Sequence, residues 1–277
     1  MKIGVIGLGL IGGSMAKAIR LNTEHEVYGT DIDRTVVMRA KVIEAINGEL
    51  TEENIQECDM LILALYPDDT VEAVKKYASK IKKGAYVVDC AGVKEKVCRE
   101  IPKFAQEYGF VFVGGHPMAG IEKIGFKYSN AKIFANASMI LTPDKNIDIW
   151  VLEELKNFFL EIGFGKITIK TPEDHDRIIA YTSQLAHVLS NAYVKSDTAD
   201  EHRGLSAGSF KDMTRVAYLN ERMWTELFFE NKQNLIDEIS VLIENLTVYK
   251  EKLESDDWDG MKQILAEGRM KKEQLDE

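Results

Sequence analysis

The stretch "KIGVIGLGLIGGSMAKAIRL", residues 2–21, sets a short apolar run against a glycine cluster and then a helix-like segment. Residues 2–6 read as a buried strand, and Gly7, Leu8, Gly9, Leu10, Ile11 and Gly12 read as the tight turn that follows it. "EVYGTDID" is a second strand ending in acidic residues. Strand, glycine-rich turn, helix and strand open a βαβ unit, and this predicts an N-terminal Rossmann-type α/β domain. In that context Gly7 serves the tight turn, Gly9 lets backbone N–H groups approach a pyrophosphate, and Gly12 lets helix and strand pack closely. The helix N-terminus then faces the anion with its positive dipole end.

Asp31 follows Gly12 by nineteen residues, at the end of the second strand. A carboxylate there accepts hydrogen bonds from the ribose hydroxyls of NAD and repels a 2′-phosphate, so NAD is favoured over NADP. Asp33 is the reserve candidate, and Arg34 leaves room for some use of NADP.

The alternation continues beyond this unit. "DMLILALYP" and "GAYVVDCA" read as buried parallel strands, with "VEAVKKYASKI" and "VKEKVCREIPKFAQEY" as crossover helices. Pro102 is expected to bend or end the second of these. "FVFVGG", "ASMILTP", the helix "IDIWVLEELKNFFLEI" and "KITIK" complete a sheet domain expected over residues 1–171. After Thr171-Pro172 the strand signals stop, which predicts a helical domain over 172–277. There "EDHDRIIAYTSQLAHVLSNAYV" reads as one helix. A second, expected from about residue 227 to 254, carries Leu235, Ile239, Leu242, Leu246, Tyr249 and Leu253 at alternating spacings of four and three. Such a stripe packs on its own domain or on a second subunit, and a homodimer is the favoured expectation. The final "EGRMKKEQLDE" reads as a solvated helix end.

A formal net charge of -10 with scattered lysines argues against nucleic acid as a partner. The three cysteines, Cys58, Cys90 and Cys98, form no CxxC pair and suit free thiols, giving no support for a metal. An N-terminus that begins as a strand, without a signal-peptide pattern, and the lack of a membrane-length apolar run predict a cytoplasmic protein.

"GGHPMAG", residues 114–120, places His116 at the C-terminal end of a strand, beside the ends of two others at Leu65-Tyr66 and Ala91-Gly92. Ligands of open parallel sheets bind outside those ends, so Leu65 and Ala91 are expected at the cofactor and His116 at the chemistry. A nicotinamide oxidoreductase needs a base to take the proton of an alcohol as its hydride leaves, and a histidine suits that role. In the helical domain Ser183, Gln184, His187, Ser190 and Asn191 are expected on one helix face. Arg215 adds a guanidinium, which binds a carboxylate through two hydrogen bonds.

Together "GLGLIGGS", "DCAGVK", "GGHPMAGIEKIG", "ANASMILTP", "EDHDRIIAYTSQLAH" and "SAGSFKDMTRVA", with "MW" nine residues past the arginine, resemble the prephenate/arogenate dehydrogenases of tyrosine biosynthesis. The resemblance runs from residue 1 to beyond 230 with motif order kept. It implies NAD-dependent oxidative decarboxylation of prephenate to 4-hydroxyphenylpyruvate, with His116 as the catalytic base. It also implies substrate contacts from Arg215, His187, Glu122, Ser183 and Gln184, with His175 and Trp224 at further pocket positions; Trp224 has an equally good reading as core. Gly92 departs from the pattern, standing where many members carry a serine, and Gln184 stands where some carry a histidine. An arogenate dehydrogenase is the alternative within the class. A catalytically silent NAD-binding sensor is the alternative outside it, and the joint presence of His116 and Arg215 argues against that.

Overall fold

The computed structural model describes residues 1–121 and 123–276. The glycine turn joins β1 (Lys2–Ile6) to α1 (Leu10–Asn22) and is followed by β2 (Glu26–Thr30), α2 (Arg34–Val42) and a two-residue β3 (Gly48–Glu49). The chain then alternates through β4 (Met60–Leu63), α3 (Pro67–Tyr77), β5 (Tyr86–Asp89), α4 (Glu95–Tyr108) and β6 (Val111–Pro117). β7 (Ser138–Thr142), α5 (Ile149–Glu161) and β8 (Lys166–Ile169) close the sheet. Among the described residues these eight strands lie in one sheet of order β3-β2-β1-β4-β5-β6-β7-β8. The order reverses between β1 and β4, which is the switch point at which a Rossmann sheet opens its binding crevice.

Helices cover both faces, so the strands are apolar on both sides. On one face Met15, Ile19, Leu155 and Phe159 pack on the sheet; on the other Leu61, Val74, Val97, Ile101 and Phe112 do. Each large aliphatic side chain removed from water in this way contributes about 1.5–3 kcal/mol. β6 changes partner along its length. Its first half runs parallel to β5, while Gly114–Pro117 pairs antiparallel with β7, His116 opposite Ile140.

Expectations for three helices need correction. Of bending or ending at Pro102, ending is excluded, because Pro102 lies within α4. The ring removes the N–H that would bond the carbonyl of Cys98, yet Val97 and Ile101 on either side of the gap are wholly buried, and their packing carries the helix through. The stretch from Pro172 is helical throughout but not uniformly α. α6 (Pro172–Ile179) leads into a π-helical segment, Ala180–Leu185, before α7 (Ala186–Tyr193). Thr171 caps α6 by accepting the Asp174 N–H, and Pro172 occupies its first turn, so the helix starts where the strand signals stop.

The remaining helices are α8 (Gly208–Thr214), α9 (Glu221–Glu230), α10 (Lys232–Glu254) and α11 (Trp258–Asp276). The helix expected from about residue 227 is thus two, broken at Asn231. That buried side chain donates to the carbonyl of Asp176 (2.7 Å) and to Oε1 of Gln184 (2.9 Å), tying the break to the π-segment. Only the start of the α10 stripe is covered within one chain. Leu235 is buried, whereas Leu246 and Leu253 are 54% and 69% exposed. Among the described residues no helix is long and apolar enough to cross a membrane.

One buried ion pair links strand ends to helix. Lys94 and Asp89 are both without solvent contact, and the ammonium of Lys94 donates to the Asp89 carboxylate and to the carbonyl of Gly115 (2.7 Å). Removing one partner strands the other charge in the interior. Lys94→Met should therefore destabilise the fold by about 3–5 kcal/mol, read as a lower urea midpoint, and an unchanged midpoint would refute this role.

Candidate active site

The glycine turn is built as a binding turn requires. Gly7 has φ +87°, and a Cβ there would lie 2.6 Å from the carbonyl oxygen of Ala64. A Cβ on Gly12 would overlap the Gly7 carbonyl, so helix and strand can approach only with glycine present. At Gly9 the space is open, with nothing within 4 Å of a Cβ position. Gly9 begins α1 without a side-chain cap, and the first-turn amides, including Leu10, Ile11 and Gly12, are those that a helix leaves without intrahelical partners. An open space facing uncapped amides fits a pyrophosphate.

Two expected cofactor contacts act differently. Leu8 is wholly buried in the core, and its N–H donates to Oδ2 of Asp31 (2.7 Å). Leu8 therefore orients Asp31 and does not face the cleft. Oδ1 of Asp31 accepts the N–H of Asp33 (2.9 Å), which leaves lone pairs on both oxygens for ribose hydroxyls. Asp33, the reserve, is committed as the cap of α2 through Thr35. Ala91 is also buried, and its N–H donates to Asp89 (2.9 Å), so its part is to shape the strand end. Leu65 stays half-buried against the Gly7 turn.

His116 stands half-buried at the end of β6, and the two glycines before it are there for packing. A Cβ on Gly115 would lie 2.5 Å from the carbonyl oxygen of Asp89. The N–H of Gly115 donates to Oδ1 of Asp89 (3.0 Å), which fixes the backbone directly before the histidine. Nδ1 of His116 lies 2.9 Å from Nε2 of His175 on α6, and Nδ1 of His175 lies 2.6 Å from Oδ1 of Asp176. Burial, the neighbouring His175 and the Lys94 ammonium together hold the His116 pKa well below its usual 6.5. Burial lowers His175 as well, against the opposing hydrogen bond that the Asp176 carboxylate accepts.

Gly92 lies directly beside the Nε2 edge of His116. A Cβ there would be 3.9 Å from Nε2 and 3.3 Å from Cδ2 of Leu227. Leu227 of α9 thus covers the space beside Gly92, and sequence reading offered no signal for it. Lys94, Asp89 and Asp176 were also missed, although the first two lie in the quoted "DCAGVK" motif and the last directly follows His175.

The substrate residues expected on the helical domain separate. His187 is half-buried, with Nδ1 2.8 Å from the carbonyl of Ser183 and its ring centroid 3.9 Å from that of Trp224. Trp224 is half-buried beside this histidine, not deep in the core. Arg215 is exposed, just past α8. Gln184 is a correction: it is buried, its Nε2 donating to the carbonyl of Leu227 (2.9 Å) and its Oε1 accepting from Asn231. Its amide joins helices and does not reach toward substrate. Ser190 is likewise buried, so the polar face expected on this helix divides between cleft and interior. Glu122 lies outside the described residues.

The π-segment explains how the helix presents two histidines. In a regular α-helix residues twelve apart, such as His175 and His187, point about 120° apart. A π-turn absorbs one extra residue, which reduces the offset to about 20° and returns both rings toward one face.

The prephenate dehydrogenase nucleotide-binding domain model matches residues 15–168, and the prephenate dehydrogenase dimerization domain model matches residues 171–267. The chain is 29% identical over 277 residues to a prephenate dehydrogenase of Lactococcus lactis, covering 97% of this chain and 75% of that one. It is 28% identical over 267 residues to the cyclohexadienyl dehydrogenase of Zymomonas mobilis, covering 93% and 90%. The crystal structure of prephenate dehydrogenase from A. aeolicus in complex with hydroxyphenyl propionate and NAD+ superposes with a TM-score of 0.86 at 28% identity, covering 99% of this chain and 98% of that one. With both domain models matched in order across a Rossmann sheet and a helical second half, the chain belongs to the prephenate dehydrogenase family.

Proposed function

We propose that this chain is an NAD-dependent prephenate dehydrogenase of tyrosine biosynthesis, working as a homodimer. The observation that carries the reading is His116. It stands at the C-terminal edge of the sheet that carries the glycine turn, with its imidazole kept in the neutral, proton-accepting form by its surroundings. Membership of the family, and a relative whose structure holds NAD+, support the cofactor; the open turn at Gly9 and the carboxylate of Asp31 fit it.

NAD, when bound, accepts the hydride from the ring carbon that bears the hydroxyl. Nε2 of His116 takes the proton of that hydroxyl, so the electron pair of the O–H bond forms the carbonyl as the C–H pair departs. The bond to the ring carboxylate then breaks, carbon dioxide leaves, and its electron pair enters the ring, which becomes aromatic. The phenolate oxygen recovers the proton held by His116, and no net proton is lost. Arg215 and His187 are the groups assigned to the substrate's carboxylate end, with Ser183 beside them, and Trp224 gives the His187 ring a flat apolar support. Leu227 and Gly92 form a dry wall beside Nε2, which favours the neutral base. The exposed apolar residues of α10, Ile243, Leu246 and Leu253 among them, support burial against a second copy, as does the dimerization-domain match.

The deciding experiment is NADH formation with prephenate and with arogenate, each with NAD and NADP. The reading expects turnover of prephenate with NAD; silence with both substrates from protein that binds NAD would overturn it. His116→Asn should keep NAD affinity within about twofold while turnover falls by about 10²–10⁴, the usual contribution of a general base.

The pH dependence has a definite sign. A base works only when deprotonated, so activity is present above the pKa of His116 and lost as pH falls through it. With that pKa well below 6.5, kcat/KM at pH 6.5 should remain on the plateau, and an acid limb centred at 6.5 or above would contradict the environment described. Asp31→Ala should raise the ratio of NADP to NAD use, measured as kcat/KM, by about tenfold or more. Loss of hydrogen bonds to a charged acceptor and of its repulsion of a 2′-phosphate both act in that direction.

A further inference from the structure

The helical domain reaches the catalytic base through two adjacent residues that sequence comparison alone would treat as a pocket histidine and its neighbour. Asp176 of α6 is 1% exposed and faces the start of α4. Its Oδ1 accepts the N–H of Lys94 (2.7 Å) and its Oδ2 the N–H of Glu95 (2.9 Å). Both carboxylate oxygens are thus engaged as acceptors of main-chain N–H groups, and they offer lone pairs, not a proton, to a further partner. The third contact, Nδ1 of His175 at 2.6 Å, must then be the donor.

The consequences run along the chain of rings. A neutral His175 with its proton on Nδ1 presents a lone pair at Nε2. The atom facing that lone pair, 2.9 Å away, is Nδ1 of His116, which must therefore carry the proton of its own ring. The lone pair of His116 is left on Nε2, on the side of Gly92 and Leu227. The rings meet edge to face, 5.1 Å between centroids at 67°, a geometry that suits an in-plane N–H donor to an in-plane lone pair.

We propose that His175 and Asp176 are positioning residues that lock His116 in the tautomer able to accept a proton at Nε2. The arrangement crosses the junction between the two halves of the chain. His116 belongs to the sheet, while His175 and Asp176 belong to the first helix beyond it. The base is therefore competent only when α6 is docked against α4 and the end of β6. The charged groups acting on these rings are Lys94 and Asp89 together with Asp176 itself, and both rings are held neutral by burial and by the Lys94 ammonium. In the opposite tautomer Nε2 of His116 would carry hydrogen and could not take the substrate's proton. This inference rests on the reading of His116 as the base, but its principal readout does not.

The test combines 15N NMR of histidine-labelled protein with steady-state NADH formation. In the wild-type protein the His116 ring should show a protonated Nδ1 and an unprotonated Nε2. His175→Gln keeps an acceptor toward His116 and a donor toward Asp176, so it should preserve that signature and retain turnover within about tenfold. His175→Leu keeps neither; His116 should lose its single tautomer and turnover should fall by about 100-fold or more, with the KM for NAD unchanged. A wild-type ring protonated at Nε2 would overturn the proposal, as would His175→Leu with wild-type turnover and the same acid limb. If His175→Leu fails to fold, the wild-type spectrum and the Gln variant decide. If the wild-type protein is silent with both substrates, the functional reading fails while the 15N signature still decides the tautomer.

Discussion

An ammonium group with no access to water, that of Lys94, is the constraint around which the site is assembled. A buried cation is tolerated only where carboxylate and carbonyl oxygens replace its lost hydration, and the oxygens that do so belong to β5 and β6. Asp89 answers it from the last position of β5, and the same carboxylate holds the N–H groups of Ala91 and Gly115. The backbone N–H of Lys94 in turn engages Asp176 of the helical half. One charge thus fixes the end of the fifth strand, the approach of the sixth to His116, the start of α4 and the docking of α6. It also acts on His116 at a distance, opposing a second positive charge on the ring.

Much of this could be read in the sequence because some positions accept one residue type only. The turn after β1 excludes any side chain at Gly7 and Gly12, so the glycine pattern carried the sheet, the switch point and the cofactor side with it. The position of His116 near the end of its strand was legible for a similar reason: the close approach of that strand to Asp89 requires the glycine before it. The start of the helical half was marked by Thr171 as cap and Pro172 in the first turn.

What could not be read were properties of partnership. A lysine in "AGVK" looks like any surface lysine until the fold closes over it, and an aspartate after a histidine looks like a solvated charge. Gln184 was misplaced because helical spacing groups residues on a face without saying whether that face meets water or another helix. A π-turn within the same stretch also shifts the count on which such spacing relies. Leu227 gave no warning because apolar residues on an amphipathic helix are expected to be core, and its contact with the Gly92 position depends on a helix more than a hundred residues away in sequence.

The π-segment carries an implication for how this helix can change over time. Its wider hydrogen bonding is poorer than that of an α-helix, so substitutions that favour regular winding of Ala180–Leu185 would gain local stability. At unchanged length that rewinding would turn everything after it by about 100°, carrying His187 away from the face it shares with His175 and presenting a different surface to Trp224. Loss of one residue within the segment would give the same regular winding and leave the two rings about 20° apart. Local stability and the shared histidine face therefore pull against each other only while the extra residue is present, and chain length decides whether they do.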